Sequence, residues 1–153
     1  MKIEPASVDD IPQLVDFLRD LFDIELDFTA DASLQQRGLE LLLADMTAGG
    51  ERAVVMVARD LSGEAVGMAT AQLVISTAEG APSAWIEDVI VQRDHRRQGI
   101  ARLLVNAILD WAQKRGATRA QLVMDETNAG AELFYNGIGW DHTHLKVRRH
   151  FIV

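Results

Sequence analysis

Arg96-Arg97-Gln98-Gly99-Ile100-Ala101 stand between an apolar run of strand character and a stretch patterned as a helix that opens at Ile100. A helix start presents N–H groups that have no intrahelical acceptor, at the positive end of the helix dipole. A glycine there keeps side-chain bulk off the backbone. With Arg93, Arg96, Arg97 and Arg102 close together, the junction has the chemistry of a phosphate cradle; the plain alternative is a loop that carries its cations idly. Two further sets of residues could move protons. Glu87 and Asp88 interrupt the apolar run Trp85–Val91, and an acid in mid-strand calls for a partner or a task. Strand alternation sends Asp88 to the face opposite Glu87 unless a bulge intervenes. Tyr135 lies on the apolar side of a short helical segment, where a phenol is either a core residue with a bonded hydroxyl or a proton donor. His142 and His144 share one face of a strand pattern, but two imidazoles without a third ligand make a poor metal site. No metal is expected, and His95 reads as a solvated neighbour of the arginines.

These residues need a scaffold, and the rest of the pattern supplies one. Lys2 to Pro5 reads as a short first strand. Ser7 is a candidate N-cap, followed by Asp9 and Asp10 and by Pro12 near the helix start, with Ile11, Leu14, Val15, Leu18 and Leu21 at helical spacing. A second helix is predicted from Ala32 to Ala48 and ends at Gly49-Gly50. Ala53 to Arg59 and Ala65 to Ser76 form a predicted antiparallel pair around a turn at Leu61-Ser62-Gly63-Glu64. After a small-residue loop from Thr77 to Ser83 comes the strand Trp85–Val91, then the arginine loop. Ile100, Leu103, Leu104, Ala107, Ile108 and Trp111 make one apolar helical stripe that Gly116 closes. A strand from Arg119 to Met124 completes a parallel crossover with Trp85–Val91. A short helix from Ala129 to Asn136 and a last strand from His142 to Phe151 finish the chain.

The 153 residues suit a single domain over 1–153 that buries roughly two thirds of its unfolded surface. No stretch approaches the ~20 apolar residues that span a bilayer. No signal core follows Met1, so a cytoplasmic location is expected, with no membrane partner. Without cysteine, a covalent cysteine intermediate is excluded. The net charge of −8 argues against a nucleic-acid partner. It suits either simple solubility or a cationic partner.

Two motifs carry a family resemblance. Arg96-x-x-Gly99-x-Ala101 matches R/Q-x-x-G-x-G/A, the pyrophosphate signature of the GNAT superfamily of acyl-CoA-dependent N-acyltransferases. Downstream, Asn128-x-x-Ala131-x-x-Phe134-Tyr135-x-x-x-Gly139-Trp140 resembles that family's N-x-x-A-x-x-x-Y-x-x-x-G-F element, with Trp in place of the last Phe. The element order also resembles the GNAT fold. The resemblance implies a mixed α/β (α+β) domain whose mostly antiparallel sheet holds a central splayed parallel pair, with helices on both faces. A Rossmann-type nucleotide domain is disfavoured, because the loop lacks G-x-G-x-x-G.

By that resemblance, acetyl-CoA would lay its pyrophosphate on Arg96, Arg97, Gln98, Gly99, Ile100, Ala101 and Arg102 and its pantetheine arm along Val89, Ile90 and Val91. Asn128 would bond the arm, and Tyr135 would touch the sulfur. The expected activity is acetyl transfer to a primary amine of a small molecule, peptide or protein. An alkylammonium of pKa about 10.4 is only about 0.1% neutral at pH 7.4, so Glu87 is expected as general base. A water chain, or an ion pair that leaves the acid out of the chemistry, is its alternative. Tyr135 is expected as general acid to the departing thiolate, an uphill transfer of roughly 2 kcal/mol that a strong hydrogen bond or a lowered phenol pKa would cover. Asp125 and Glu126 are loose candidates for lining the acceptor pocket, and the acidic, aromatic stretch from Phe22 to Gly38 for contacting the amine. The resemblance also allows a homodimer through the C-terminal strand. The competing reading is a non-catalytic acyl-CoA-binding sensor or interaction module.

Overall fold

The computed structural model describes all residues except Leu26, Gly50 and Val153. Gly50, expected to help end the second helix, therefore lies outside the described residues, as does Leu26 in the stretch expected to contact the amine. Two compact units emerge, residues 1–122 and 123–153.

The first unit holds a five-stranded sheet in the order β1 (Lys2–Pro5), β2 (Ala53–Arg59), β3 (Ala65–Ser76), β4 (Ala81–Val91), β5 (Arg119–Leu122). The first four strands pair antiparallel and β4 pairs with β5 in parallel. The parallel pair thus closes the sheet order among the described residues instead of lying at its centre. The expected loop from Thr77 to Ser83 shrinks to a turn, since pairing runs out to Ser76↔Ala81.

Helices cover both faces. Leu14, Phe17, Leu18 and Leu21 of α1 (Ile11–Phe22) and Leu39 and Leu43 of α2 (Ala32–Thr47) pack with Val55, Val57, Met68 and Ile90. α3 (Ile100–Gln113) buries Leu104, Val105 and Ile108 on the other face, which the alternation of strand side chains leaves to Val54, Met56 and Gly67. Gly67 permits the approach: a Cβ there would stand 2.9 Å from the Ile90 carbonyl oxygen and 3.3 Å from Leu104 Cδ1.

Local chemistry sets the helix starts. Asp31 Oδ1 accepts from the N–H groups of Ser33 (3.0 Å) and Leu34 (3.2 Å) at the start of α2. Ser7 caps a 3-10 turn, Val8–Asp10, with Asp10 Oδ2 accepting from its N–H at 2.8 Å. α1 itself begins only at Ile11. Arg59 then grips Asp10 through two bonds of 2.9 and 3.0 Å and Glu4 through its Nε, which ties β1 and the 3-10 turn to β2.

The second unit contains α4 (Ala129–Gly137). Residues 141–152 form no strand, contrary to the expectation for His142–Phe151. Alternating side chains describe a strand's faces, but a strand exists only where its N–H and C=O groups find a ladder. In this segment Leu145, Val147, Phe151 and Ile152 are exposed.

Candidate active site

β4 and the start of α3 hold most of the residues singled out from the sequence. Pairing of β4 with β5 runs only from Ser83↔Arg119 to Ile86↔Leu122. Beyond Ile86, residues 87–91 keep β3 on one side and have no strand on the other among the described residues. Val89, Ile90 and Val91 are therefore held in register by Ala69, Met68 and Gly67, with one backbone edge left open to an extended ligand arm.

After the 3-10 turn Arg93–His95 the chain reverses through two left-handed residues, Arg97 at φ 59° and Gly99 at φ 80°. Arg96 N–H reaches the Arg93 carbonyl at 3.3 Å, and the next N–H to find a backbone acceptor is that of Leu103, on the Gly99 carbonyl at 3.1 Å. Among the described residues, the N–H groups of residues 97–102 bond to nothing in the protein. Gly99 is required by its left-handed backbone, and a Cβ there would project into open space. Arg96 braces the loop: its Nε donates to the Val91 carbonyl at 2.9 Å. That leaves its terminal nitrogens, with exposed Arg97 and Arg102, to carry the positive charge. His95 departs from expectation, because its Nδ1 is buried without a hydrogen-bond partner among the described residues.

The two acids of β4 are placed by a bulge. Ala69 pairs with Val89 and Ala71 with Ile86, so Thr70 alone faces both Glu87 and Asp88. The extra residue turns Asp88 back to the side of Glu87. Thr70 Oγ1 donates to Asp88 Oδ2 at 2.6 Å, and Trp85 Nε1 donates to Glu87 Oε2 at 3.1 Å. Since Thr70 and Gln72 share a face of β3, and Gln72 opposes Trp85, both carboxylates lie on one face. Their environments differ. Glu87 is exposed, whereas Asp88 is half-buried. Loss of hydration pushes the Asp88 carboxyl up to about 6, the Thr70 bond opposes this, and the neighbouring Glu87 charge adds to it.

In the second unit Asn128 caps α4, its Oδ1 accepting from Ala131 N–H at 3.0 Å. Asp125 spends Oδ1 on a turn, accepting from Thr127 N–H at 2.8 Å. Tyr135 is flanked by Phe134, edge-on at 4.9 Å between ring centroids, and by Trp140 at 5.5 Å. Gly139, at φ 83°, turns the chain so that Trp140 N–H reaches the Tyr135 carbonyl at 3.0 Å. That return accounts for the spacing Y-x-x-x-G-W in this chain. Burial pushes the Tyr135 phenol up to about 12, so the expected option of a lowered phenol pKa falls away.

The comparisons with known proteins agree with this architecture. Residues 15–140 match the acetyltransferase (GNAT) family. The chain belongs to that family. A stretch of 67 residues is 34% identical to an uncharacterized N-acetyltransferase of Methanocaldococcus jannaschii, covering 44% of this chain and 30% of that protein. The chain thus spans about a third of the length of the curated relative it matches. A possible acetyltransferase from Clostridium difficile 630 shares the fold with a TM-score of 0.83 at 20% identity, over 99% of this chain and 97% of that one. A transcriptional regulator from Bacillus halodurans C-125 superposes with a TM-score of 0.81 at 25% identity, over 98% and 99%. The GNAT family generally uses acetyl-CoA. The free amides ahead of α3 and the open edge of β4 fit a ligand with a diphosphate and an extended arm.

Proposed function

We propose that residues 1–153 act as one N-acetyltransferase domain that moves the acetyl group of acetyl-CoA to a primary amine. The observation that carries the proposal is the run of unpaired N–H groups at residues 97–102 behind a left-handed Gly99, at the position of the family's pyrophosphate signature. Acetyl-CoA supplies an activated thioester carbonyl. Arg96, Arg97, Gln98, Gly99, Ile100, Ala101 and Arg102 bind the diphosphate. The backbone of Val89, Ile90 and Val91 pairs with the arm, and the Asn128 amide NH2, whose oxygen partner is already committed to the helix cap, contacts it.

Glu87 was the expected base, and in this reading the task is divided between two carboxylates on one face. Glu87, exposed at that face, receives the incoming ammonium. Asp88, poised at about 6 on the same face, takes its proton and passes it to water. The freed nitrogen forms the C–N bond as the C–S bond breaks. The second proton from nitrogen ends on the departing sulfur. Tyr135 remains protonated across the working range and donates a hydrogen bond to that sulfur as charge develops. We further propose a cytoplasmic protein without a nucleic-acid or membrane partner; no helix among the described residues is long and apolar enough to cross a membrane. A homodimer using the exposed apolar residues of segment 141–152 belongs to the same proposal.

The test is thiol release from acetyl-CoA with polyamines, amino acids, aminoglycosides and peptides. Turnover with one class, together with CoA binding, supports the enzyme. Binding without turnover across the whole panel makes the chain an acyl-CoA sensor instead.

A further inference from the structure

A bulge creates a problem as well as a geometry. Where two residues of β4 face one of β3, the N–H of the extra residue loses its ladder acceptor, and a buried amide without a partner costs about as much as a lost hydrogen bond. In this sheet the replacement partner is a side chain. Asp88 N–H donates to Thr70 Oγ1 at 3.1 Å, while the same hydroxyl donates its proton to Asp88 Oδ2 at 2.6 Å. Thr70 is 1% exposed, so both hydroxyl functions are spent on one residue. With backbone and carboxylate of Asp88 gripped by a single β-branched side chain, whose χ1 is stiff, the carboxylate has one orientation. Its second oxygen remains available on the face it shares with Glu87.

We infer that Thr70 is a positioning residue for acetyl transfer, a hydroxyl that holds the Asp88 carboxylate in its proton-accepting orientation. The inference rests on the reading of Asp88 as base. The charged surroundings are simple. On β4 the neighbour is Glu87, which favours the protonated form. On β3 the facing side chains are Thr70 and Gln72, both neutral. α1 offers this face of the sheet its apolar side, Leu14, Phe17, Leu18 and Leu21, while its charged Asp16, Arg19 and Asp20 are exposed. Thr70 is thus the group that offsets both desolvation and the Glu87 charge.

The experiment compares kcat and kcat/KM against pH for Thr70→Val, Thr70→Ser and Asp88→Asn, with an amine found to be a substrate. T70V keeps the shape and loses the hydroxyl. Its kcat should fall at least fivefold with the KM for acetyl-CoA unchanged. The acid limb of its profile should move to higher pH by roughly one unit, the scale of a lost hydrogen bond to a charged group. T70S should restore both to within about twofold. In a D88N background, T70V should have no further effect on kcat, because the partner it acts through is gone. Wild-type kcat and acid limb in T70V, while D88N is slow, would overturn the role of Thr70 alone. Wild-type rates in D88N would instead remove Asp88 as base. If T70V does not fold, Thr70→Ala, which leaves room for a water, takes its place with the same expectations.

Discussion

Asp88→Asn should make this protein more stable and less active, and the gain should depend on pH in a defined way. A carboxyl that titrates at 3.8 in the unfolded chain and at about 6 in the folded protein binds its proton more tightly when folded. Stability therefore falls as pH rises from about 4 through about 6, and above that the folded state carries the full cost of an ionised, poorly hydrated carboxylate. Each pKa unit is worth about 1.4 kcal/mol, so the ceiling is about 3 kcal/mol. Asparagine keeps an oxygen for the Thr70 hydroxyl and never ionises, which removes the penalty. Urea unfolding of both proteins at pH 4, 5, 6 and 7.5 gives the difference directly. A D88N advantage that grows by about 2–3 kcal/mol between pH 4 and 7.5 is expected, or about 5–10 °C in Tm for a chain of this size, with acetyl transfer reduced at least tenfold. An advantage that does not change with pH would refute the reasoning, because the Asp88 carboxyl would then titrate alike in both states.

Three other outcomes follow from the geometry. Gly99→Asp sets a carboxylate against the free amides of residues 97–102; its Cβ meets open space but the left-handed backbone strains any side chain, so calorimetry should find CoA binding abolished in a chain that still folds and loses about 1 kcal/mol of stability. Tyr135→Phe should lower turnover at least tenfold while CoA affinity changes little. Because the phenol is pushed up to about 12, the wild-type rate should show no loss from phenol ionisation up to pH 9.5. Gly67→Ala places a methyl 2.9 Å from the Ile90 carbonyl oxygen, which backbone cannot easily yield; thermal melting should show a loss of about 1–3 kcal/mol.

Much of this was legible because it is local. The helical stripe from Ile100 to Trp111, the hairpin around Ser62-Gly63 and the glycine at the head of α3 depend on neighbours in sequence, and each formed as the residue pattern dictates. The bulge was not legible in the same way. It depends on how β4 slides against β3, and no residue within β4 records that Thr70 will face two residues at once. The Glu87-Asp88 doublet did mark the place, but alternation alone put Asp88 on the wrong face. The last segment failed for a related reason, since His142–Phe151 has the side-chain order of a strand but no ladder. Tyr135 was singled out by its spacing, while the burial that raises its pKa is set by the fold and not by the residues next to it in sequence.

Arg97 holds a left-handed backbone, φ 59°, that an arginine occupies at a penalty of about 1 kcal/mol or more relative to glycine. The shape of the loop is thus imposed by the fold before any anion arrives. Ligand capture at such a receptor freezes little main chain, so association should proceed as docking onto a rigid mould, with enthalpy from charge and amide contacts and scant loss of conformational freedom.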